Sequence, residues 1–360
     1  MEKSTCRNLS QYNSKISALK GVGITLMVIG HSGINPSIGH WIYMFHMPLF
    51  FFLSGYLFKD KYFDDRWSFV KNKVKGYYFP FVKWVVFFVL IHNFLADLYF
   101  LDGKYTFYEM LQAVVNAFIF INNEPATGGY WFLKGLFWAS LIAFGMLLIS
   151  SKLKSIFKLE KKITGFDIVM IILSVIAAWI CSYTQLCFLT MPLLGCAFFL
   201  SGYVLSRYEF TPNYILGGVL LIVSVLVATF LDFDFSLLAA SGKKVLFNYP
   251  NAMICIIALI NLMPLIGKPA TDIFAYIGRH TLVILTLHFV SFKLFTLVLI
   301  FMGEASVESL MCHPVPKNFS EWYWICYTIT GIGVPLIWIE TYMFIKSSIK
   351  KFFMSGFSVN

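Results

Sequence analysis

Ten apolar stretches, each long enough to cross a bilayer, divide this chain of 360 residues. They run approximately 16–34, 39–58, 78–100, 130–149, 166–183, 186–205, 213–231, 251–267, 280–302 and 323–345. About 18 or more consecutive apolar residues read as a spanning helix, because in lipid the backbone must satisfy its own hydrogen bonds. The expected fold is therefore all-α: a polytopic membrane helix bundle of about ten spans. Only 13% of the residues are charged, against 59% hydrophobic, and a soluble domain carries about a quarter charged residues. That shortage excludes a soluble globular enzyme, a disordered chain and a nucleic-acid binder. A further stretch at 106–121 is amphipathic and is expected to lie flat on the membrane or to re-enter it. One domain, 1–360, is expected, with cytoplasmic tails at 1–15 and 346–360.

The distribution of positive charge orients the bundle. With a cytoplasmic N-terminus, 21 Lys and Arg residues fall on inner segments and 4 on outer ones, namely Lys104, Lys243, Lys244 and Lys317. Basic residues accumulate on the cytoplasmic side, so both termini are expected inside. Residues 1–15 are polar and the first apolar run is long enough to stay in the bilayer, so no cleavable signal is expected. The seven cysteines show no metal-ligand spacing and read as structural, without a disulfide framework or a metal site. FFLSGY occurs twice, at 51–56 and 198–203, each time after a Met-Pro pair (Met47-Pro48 and Met191-Pro192). Both packing convergence and an internal repeat account for the echo.

Ionisable groups inside a bilayer are costly and mark functional positions. In the first span, KGVGITLMVIGHSG, Lys20 and His31 lie eleven residues apart. That is three helical turns plus roughly 20°, so they share one face, about 16 Å apart along the axis. Gly21, Gly23 and Gly30 thin the helix and admit either a neighbouring helix or a slender ligand. Taken singly, Lys20 also reads as a snorkelling lysine, and His31 as a histidine bonded between helices. The second span adds His46, then Pro48, which should break the helix and free backbone groups, then Ser54 and Tyr56. Lys71, Lys73 and Lys75 follow before Pro80; they fit either anionic lipid or a phosphate clamp.

The run from Lys20 through His31 to FHMPLFFFLSGYLF resembles the acyltransferase 3 family of integral-membrane acyltransferases, which includes O-acetylases of bacterial surface polysaccharides. The family's signature is an arginine, ten residues, a histidine, and a Met-Pro-Leu-Phe-Phe stretch ending in Leu-Ser-Gly. Here Lys20 replaces the arginine, keeping the charge without the bidentate fork. Further landmarks are Lys71, Lys73, Lys75 and Pro80, then Trp131, Phe132 and Leu133, then Gly278, Arg279, Leu282 and His288.

The resemblance implies a multi-pass protein of a bacterial inner or plasma membrane that modifies polysaccharide by O-acetylation. It uses acetyl-CoA, or another acyl-CoA, as donor, needs no metal, and acylates a hydroxyl of a carbohydrate or glycan acceptor. On this reading Lys20, Lys71, Lys73 and Lys75 hold the coenzyme A phosphates. The pantetheine arm threads the glycine-lined face of the first helix through a continuous tunnel, and His31 is the general base. An acyl-enzyme on His31 or Ser32 is the competing mechanism, and freed backbone groups near Pro48 are the candidate oxyanion stabilisers. Ser32, His46, Ser54, Tyr56, Trp131, Arg279 and His288 are expected to line the cavity. Lys134 reads as an interface lysine or an acceptor contact, Lys293 as a snorkelling or paired lysine, and His313 is set aside because no carboxylate follows it at the spacing of a soluble acyltransferase motif. A secondary transporter or exporter of a small polar or glycan substrate is the alternative function. The acceptor, the acyl chain and the oligomeric state are left open.

Overall fold

The structure, a computed structural model, describes residues 2–159, 164–230, 236–316 and 322–356. Of the lysines counted for topology, Lys161, Lys162 and Lys317 lie outside these residues. Among the described residues the chain is helical without strands. In order, the helices are α1 (Glu2–His31), α2 (Pro36–Tyr56), α3 (Lys61–Asp64), α4 (Arg66–Lys73), α5 (Phe79–Asp97), α6 (Phe107–Phe118), α7 (Trp131–Ile156) and α8 (Gly165–Cys181). They continue with α9 (Thr190–Leu205), α10 (Tyr214–Phe230), α11 (Lys244–Leu262), α12 (Gly267–Arg279), α13 (Thr281–Phe301) and α14 (Tyr323–Gly356).

A helix covers each of the ten predicted stretches. Among the described residues six segments are long and apolar enough to cross a membrane: Arg66–Asp97, Pro125–Ile156, Cys187–Leu205, Lys244–Arg279, Thr281–Phe301 and Tyr323–Ile349. Two shorter apolar helices, Gly165–Cys181 and Tyr214–Phe230, accompany them. α1 and α2 fall outside that set, and these are the helices that carry Lys20, His31 and His46. The polar N-terminal stretch is helical and continuous with α1, and α14 likewise runs on to Gly356. The stretch 251–267 ends early, at Leu262, where a 3₁₀ turn containing Pro264 leads into α12. α12 is an amphipathic helix in the segment between two of the predicted spans. Its apolar face packs along α1.

α6 folds back along α5. Asn93 near the end of α5 bonds both backbone groups of Tyr105 at 2.8 Å, and the Tyr78 hydroxyl donates to the Phe118 carbonyl at 2.8 Å. α6 therefore runs down the flank of α5, its start fixed by the Thr106–Glu109 capping box. The chain then turns back within the bundle, and α7 begins with Phe132 wedged against Phe50 and Phe51, ring centroids 5.4 and 5.6 Å away.

Two close crossings organise the rest. A methyl on Gly21 would lie 1.8 Å from the Phe274 carbonyl oxygen, and one on Gly278 would lie 1.8 Å from that of Ser17, so α1 and α12 touch backbone to backbone. α2 and α9 meet in the same way through the two FFLSGY segments. A methyl on Gly55 would lie 1.7 Å from the Phe199 carbonyl oxygen, and one on Gly202 would lie 1.9 Å from that of Phe52. Small residues at such crossings let apolar helices gain dispersion contact where no hydrophobic effect drives them together. The echo extends to the serines: Ser54 pairs with the Tyr77 hydroxyl at 3.2 Å and Ser201 with that of Tyr249 at 2.6 Å. Reciprocal packing gives the repeated hexapeptide a physical reason. Ion pairs tie Arg207 to Asp60 and Lys154 to Asp167 at 2.5 and 2.6 Å.

Candidate active site

α1 delivers His31 at its last residue. The Ser32 hydroxyl donates to the Ile29 carbonyl at 2.7 Å, Gly33 turns the chain at φ +86°, and Asn35 caps α2 by accepting from the Ser37 amide. This short turn folds α2 back so that the Tyr43 ring lies on Gly30 and its hydroxyl donates to the Gly30 carbonyl at 2.5 Å. The His31 ring is then surrounded by Tyr43, His288 and Phe289, at centroid distances of 5.9, 5.7 and 5.3 Å. His46 follows one step away, 5.5 Å from Tyr43, its Nδ1 on the Ile42 carbonyl at 2.8 Å. His31 and His288 thus come together as neighbours inside the protein.

A cavity of about 810 Å³ opens beside His31, lined also by Ser32, Asn35, Pro314, Trp322, Trp324 and Tyr327. Ser32 faces it with a hydroxyl already engaged on its own helix end. The segment after α13 forms one wall. Lys293, only 4% exposed, reaches from α13 to the Cys312 carbonyl at 2.6 Å and holds that segment in place. His313 then packs one side of its ring on Phe289, at 4.4 Å. Its ring is held below the ordinary histidine pKa, first by partial burial and then by the Lys293 ammonium. The sequence set His313 aside and left Lys293 as a snorkelling or paired lysine; it is paired. Their place beside the site depends on a long connection folding back, which no local spacing records.

At the opposite end of α1 a second cluster forms. The Lys20 and Lys73 ammonium groups both act electrostatically on the Tyr77 hydroxyl, which Ser54 also bonds. Lys73 is partly buried, 5.1 Å from the Tyr77 ring and 5.7 Å from that of Phe199. Lys71 and Lys75 are exposed and do not join it. The cause is local: Lys73 ends α4 and a π-turn, Val74–Tyr78, follows, so its neighbours two residues away point elsewhere. Tyr56 stacks on Phe52 at 6.2 Å. Arg279, exposed and 5.8 Å from the Tyr276 ring, does not line the His31 cavity.

Trp131 also lies elsewhere. It lines a separate cavity of about 370 Å³ with Asn122, Asn123, Glu124 and Lys134. Behind that cavity is a buried pair not foreseen in the sequence: His92 Nδ1 and Glu124 at 2.9 Å, with the Tyr105 ring stacked on the imidazole at 3.8 Å. Among the described residues no three His, Cys, Asp or Glu side chains converge as metal ligands would.

The expected tunnel between the two clusters is closed in this structure. Gly21 is filled by the α12 backbone, Gly23 by Phe50 and Gly30 by Tyr43, so none of the three offers room to a ligand. Between Lys20 and His31 the shared face of α1 carries Ile24 and Met27, 3% and 2% exposed. Pro48 does not break α2, which is continuous from Pro36 to Tyr56. Proline removes a donor and leaves the carbonyl one turn earlier without one. An acceptor of that kind cannot stabilise an oxyanion.

A family model described as an acyltransferase domain, that of the acyltransferase 3 family, matches residues 13–340, nearly the whole chain. No curated protein and no solved structure matches it.

Proposed function

The chain belongs to the acyltransferase 3 family, and on that premise we propose that it moves an acyl group, acetyl in the simplest case, from cytoplasmic acyl-CoA to a hydroxyl of a carbohydrate or glycan acceptor. All ten apolar helices span the membrane in this reading, with both termini cytoplasmic, as the 21-to-4 split of basic residues requires. The Lys20–Lys73–Tyr77–Ser54 cluster then faces the cytoplasm and the cavity beside His31 faces outward.

The two ends divide the work. Lys20 and Lys73 are point charges suited to the coenzyme A phosphates, and the aromatic cavity walls suit the faces of a sugar. His31 takes the proton of the acceptor hydroxyl as that oxygen attacks the thioester carbonyl. The carbon–sulfur bond then breaks, and the departing coenzyme A sulfur takes the proton back from His31. Direct transfer is favoured over an acyl-serine, because the Ser32 hydroxyl donates to the Ile29 carbonyl and, among the described residues, bonds to no base. The acyl arm reaches His31 once Met27 swings aside, a motion open to an unbranched thioether.

The observation that carries this reading is the position of His31, at the wall of one cavity and on the same helix as a lysine of the opposite cluster. The test is ester formation by the purified protein with acetyl-CoA and a glycan acceptor, read by mass spectrometry. Wild type is expected to make the ester. His31→Ala is expected to lose it while acetyl-CoA still raises the Tm of both proteins. No stabilisation at millimolar coenzyme A, or full activity of His31→Ala, refutes the proposal.

A further inference from the structure

The catalytic reading places the chemistry on His31 and leaves His288 unused, yet His288 is the more constrained of the two rings. It is 0% exposed. Its Nδ1 lies 2.9 Å from the Leu285 carbonyl oxygen and 3.1 Å from that of Ile284. Carbonyl oxygens only accept, so Nδ1 carries the proton, and the neutral ring is left with a bare lone pair on Nε2. That Nε2 is buried and has no hydrogen-bond partner among the described residues. An acceptor buried in this way calls for a donor.

The nearest ring that can supply one is His31, 5.7 Å away between centroids and tilted by 30°. Phe289 meets His31 edge to face at 5.3 Å, and Phe292 stands at 88° to His288, so aromatic rings flank both imidazoles. His46 also has its Nδ1 on a carbonyl of its own helix, but its close ring neighbour is Tyr43.

We infer that His288 is a positioning residue for His31: with a small turn of the His31 ring, which closes the gap this structure leaves at Nε2, that nitrogen accepts the ring N–H of His31 and leaves the other His31 nitrogen unprotonated toward the cavity. A neutral imidazole has one N–H and one lone pair, so fixing the first aims the second. When His31 takes a proton from the acceptor, the N–H already bound to His288 stays in place and the new proton sits on the nitrogen facing the substrate. His288 gains and loses no proton in the cycle. This inference rests on the reading of His31 as the base.

Glutamine and leucine at position 288 separate this role from the alternatives. Gln accepts a hydrogen bond but takes no proton at neutral pH, whereas Leu does neither. His288→Gln is expected to keep kcat within about tenfold of wild type, and His288→Leu to lose about 100-fold. KM for acetyl-CoA should stay unchanged in both, and the acidic limb of the pH–rate profile should move in the Leu variant alone. Equal loss in the two variants, with fold and coenzyme A binding intact, would make His288 itself a base and overturn the inference. So would full activity of the Leu variant.

A second readout does not need turnover. In protein labelled with ¹⁵N-histidine, the hydrogen-bonded ring N–H of His31, identified by its loss in His31→Gln, should be present in wild type and absent in His288→Leu. Its absence from wild type overturns the pairing and leaves the base assignment standing. Its presence in a protein without transferase activity overturns the base assignment alone.

Discussion

Gly55 and Gly202 play the same part on opposite sides of one helix crossing, each seating the carbonyl of a phenylalanine from the other copy of FFLSGY. The reciprocity sets the depth to which α2 and α9 interlock. With it comes the position of Ser54, the partner of Tyr77 in the lysine cluster. A methyl group at either glycine must separate two backbones, because the obstacle is a carbonyl and not a movable side chain. Overpacking of this kind costs about 1–3 kcal/mol or more. Gly55→Ala and Gly202→Ala should each lower the Tm in detergent by about 5 °C or more. Gly218→Ala is the control: nothing lies within 4 Å of its new methyl, and alanine is the better helix former by about 1 kcal/mol. It should leave the Tm unchanged or raise it.

The lysines should divide by orientation. Lys20 and Lys73 converge on Tyr77, whereas Lys71 and Lys75 are exposed. A charge-assisted bond to phosphate contributes about 1.5–3 kcal/mol, so Lys20→Ala and Lys73→Ala should each raise KM for acyl-CoA about tenfold or more at low salt, with kcat nearly unchanged. Lys71→Ala and Lys75→Ala should change KM less than about twofold. Steady-state kinetics of the four variants at two ionic strengths checks the division.

Met27 should act as a gate. It fills the face between Lys20 and His31 and is flexible enough to leave it. Isoleucine has similar volume but is stiff at χ1. Met27→Ile should therefore lower kcat about tenfold while Tm and KM for acyl-CoA stay near wild type. A volume-conserving swap of this kind costs less than about 1.5 kcal/mol in stability. An unchanged kcat would show that the acyl arm takes another route.

Acid should loosen the segment that carries His313. The folded protein holds this ring below its ordinary value of 6.5, through partial burial and then Lys293. The unfolded or detached segment therefore binds the proton more readily. The stabilisation from docking the neutral ring is complete above pH 6.5. It is lost progressively as the pH falls from there through the lowered folded value. Hydrogen exchange across residues 307–316, corrected for the intrinsic pH dependence of exchange, should rise on acidification in wild type and far less in His313→Gln.

How much of this was legible in the sequence follows from the range of each signal. Helix positions rest on long apolar runs and on one-dimensional periodicity, and each predicted stretch carries a helix. His31 and Lys20 were readable because a single helix fixes their relation. The α12 helix was missed because its polar half resembles a loop until α1 covers the other half. His313 was set aside and the His92–Glu124 pair missed because distant segments bring them to their neighbours; the partner of Lys293, the Cys312 carbonyl, comes from such a segment too. The three α1 glycines show a further limit: a thin helix face marks close approach, but the sequence does not say whether a ligand, an aromatic ring or another backbone makes it. Trp131 and Arg279 were placed by motif and span order, which give depth along a helix but not the side that faces the cavity.

The account turns on vectorial transfer through His31, and reconstituted vesicles test it most directly. With the lysine end facing the medium, labelled acetyl-CoA is supplied outside and a glycan acceptor is sealed within. The account predicts labelled ester on the enclosed glycan with wild-type protein and none with His31→Ala. Label appearing only on acceptor added to the side that holds acetyl-CoA, or equal labelling by the His31→Ala protein, would contradict it.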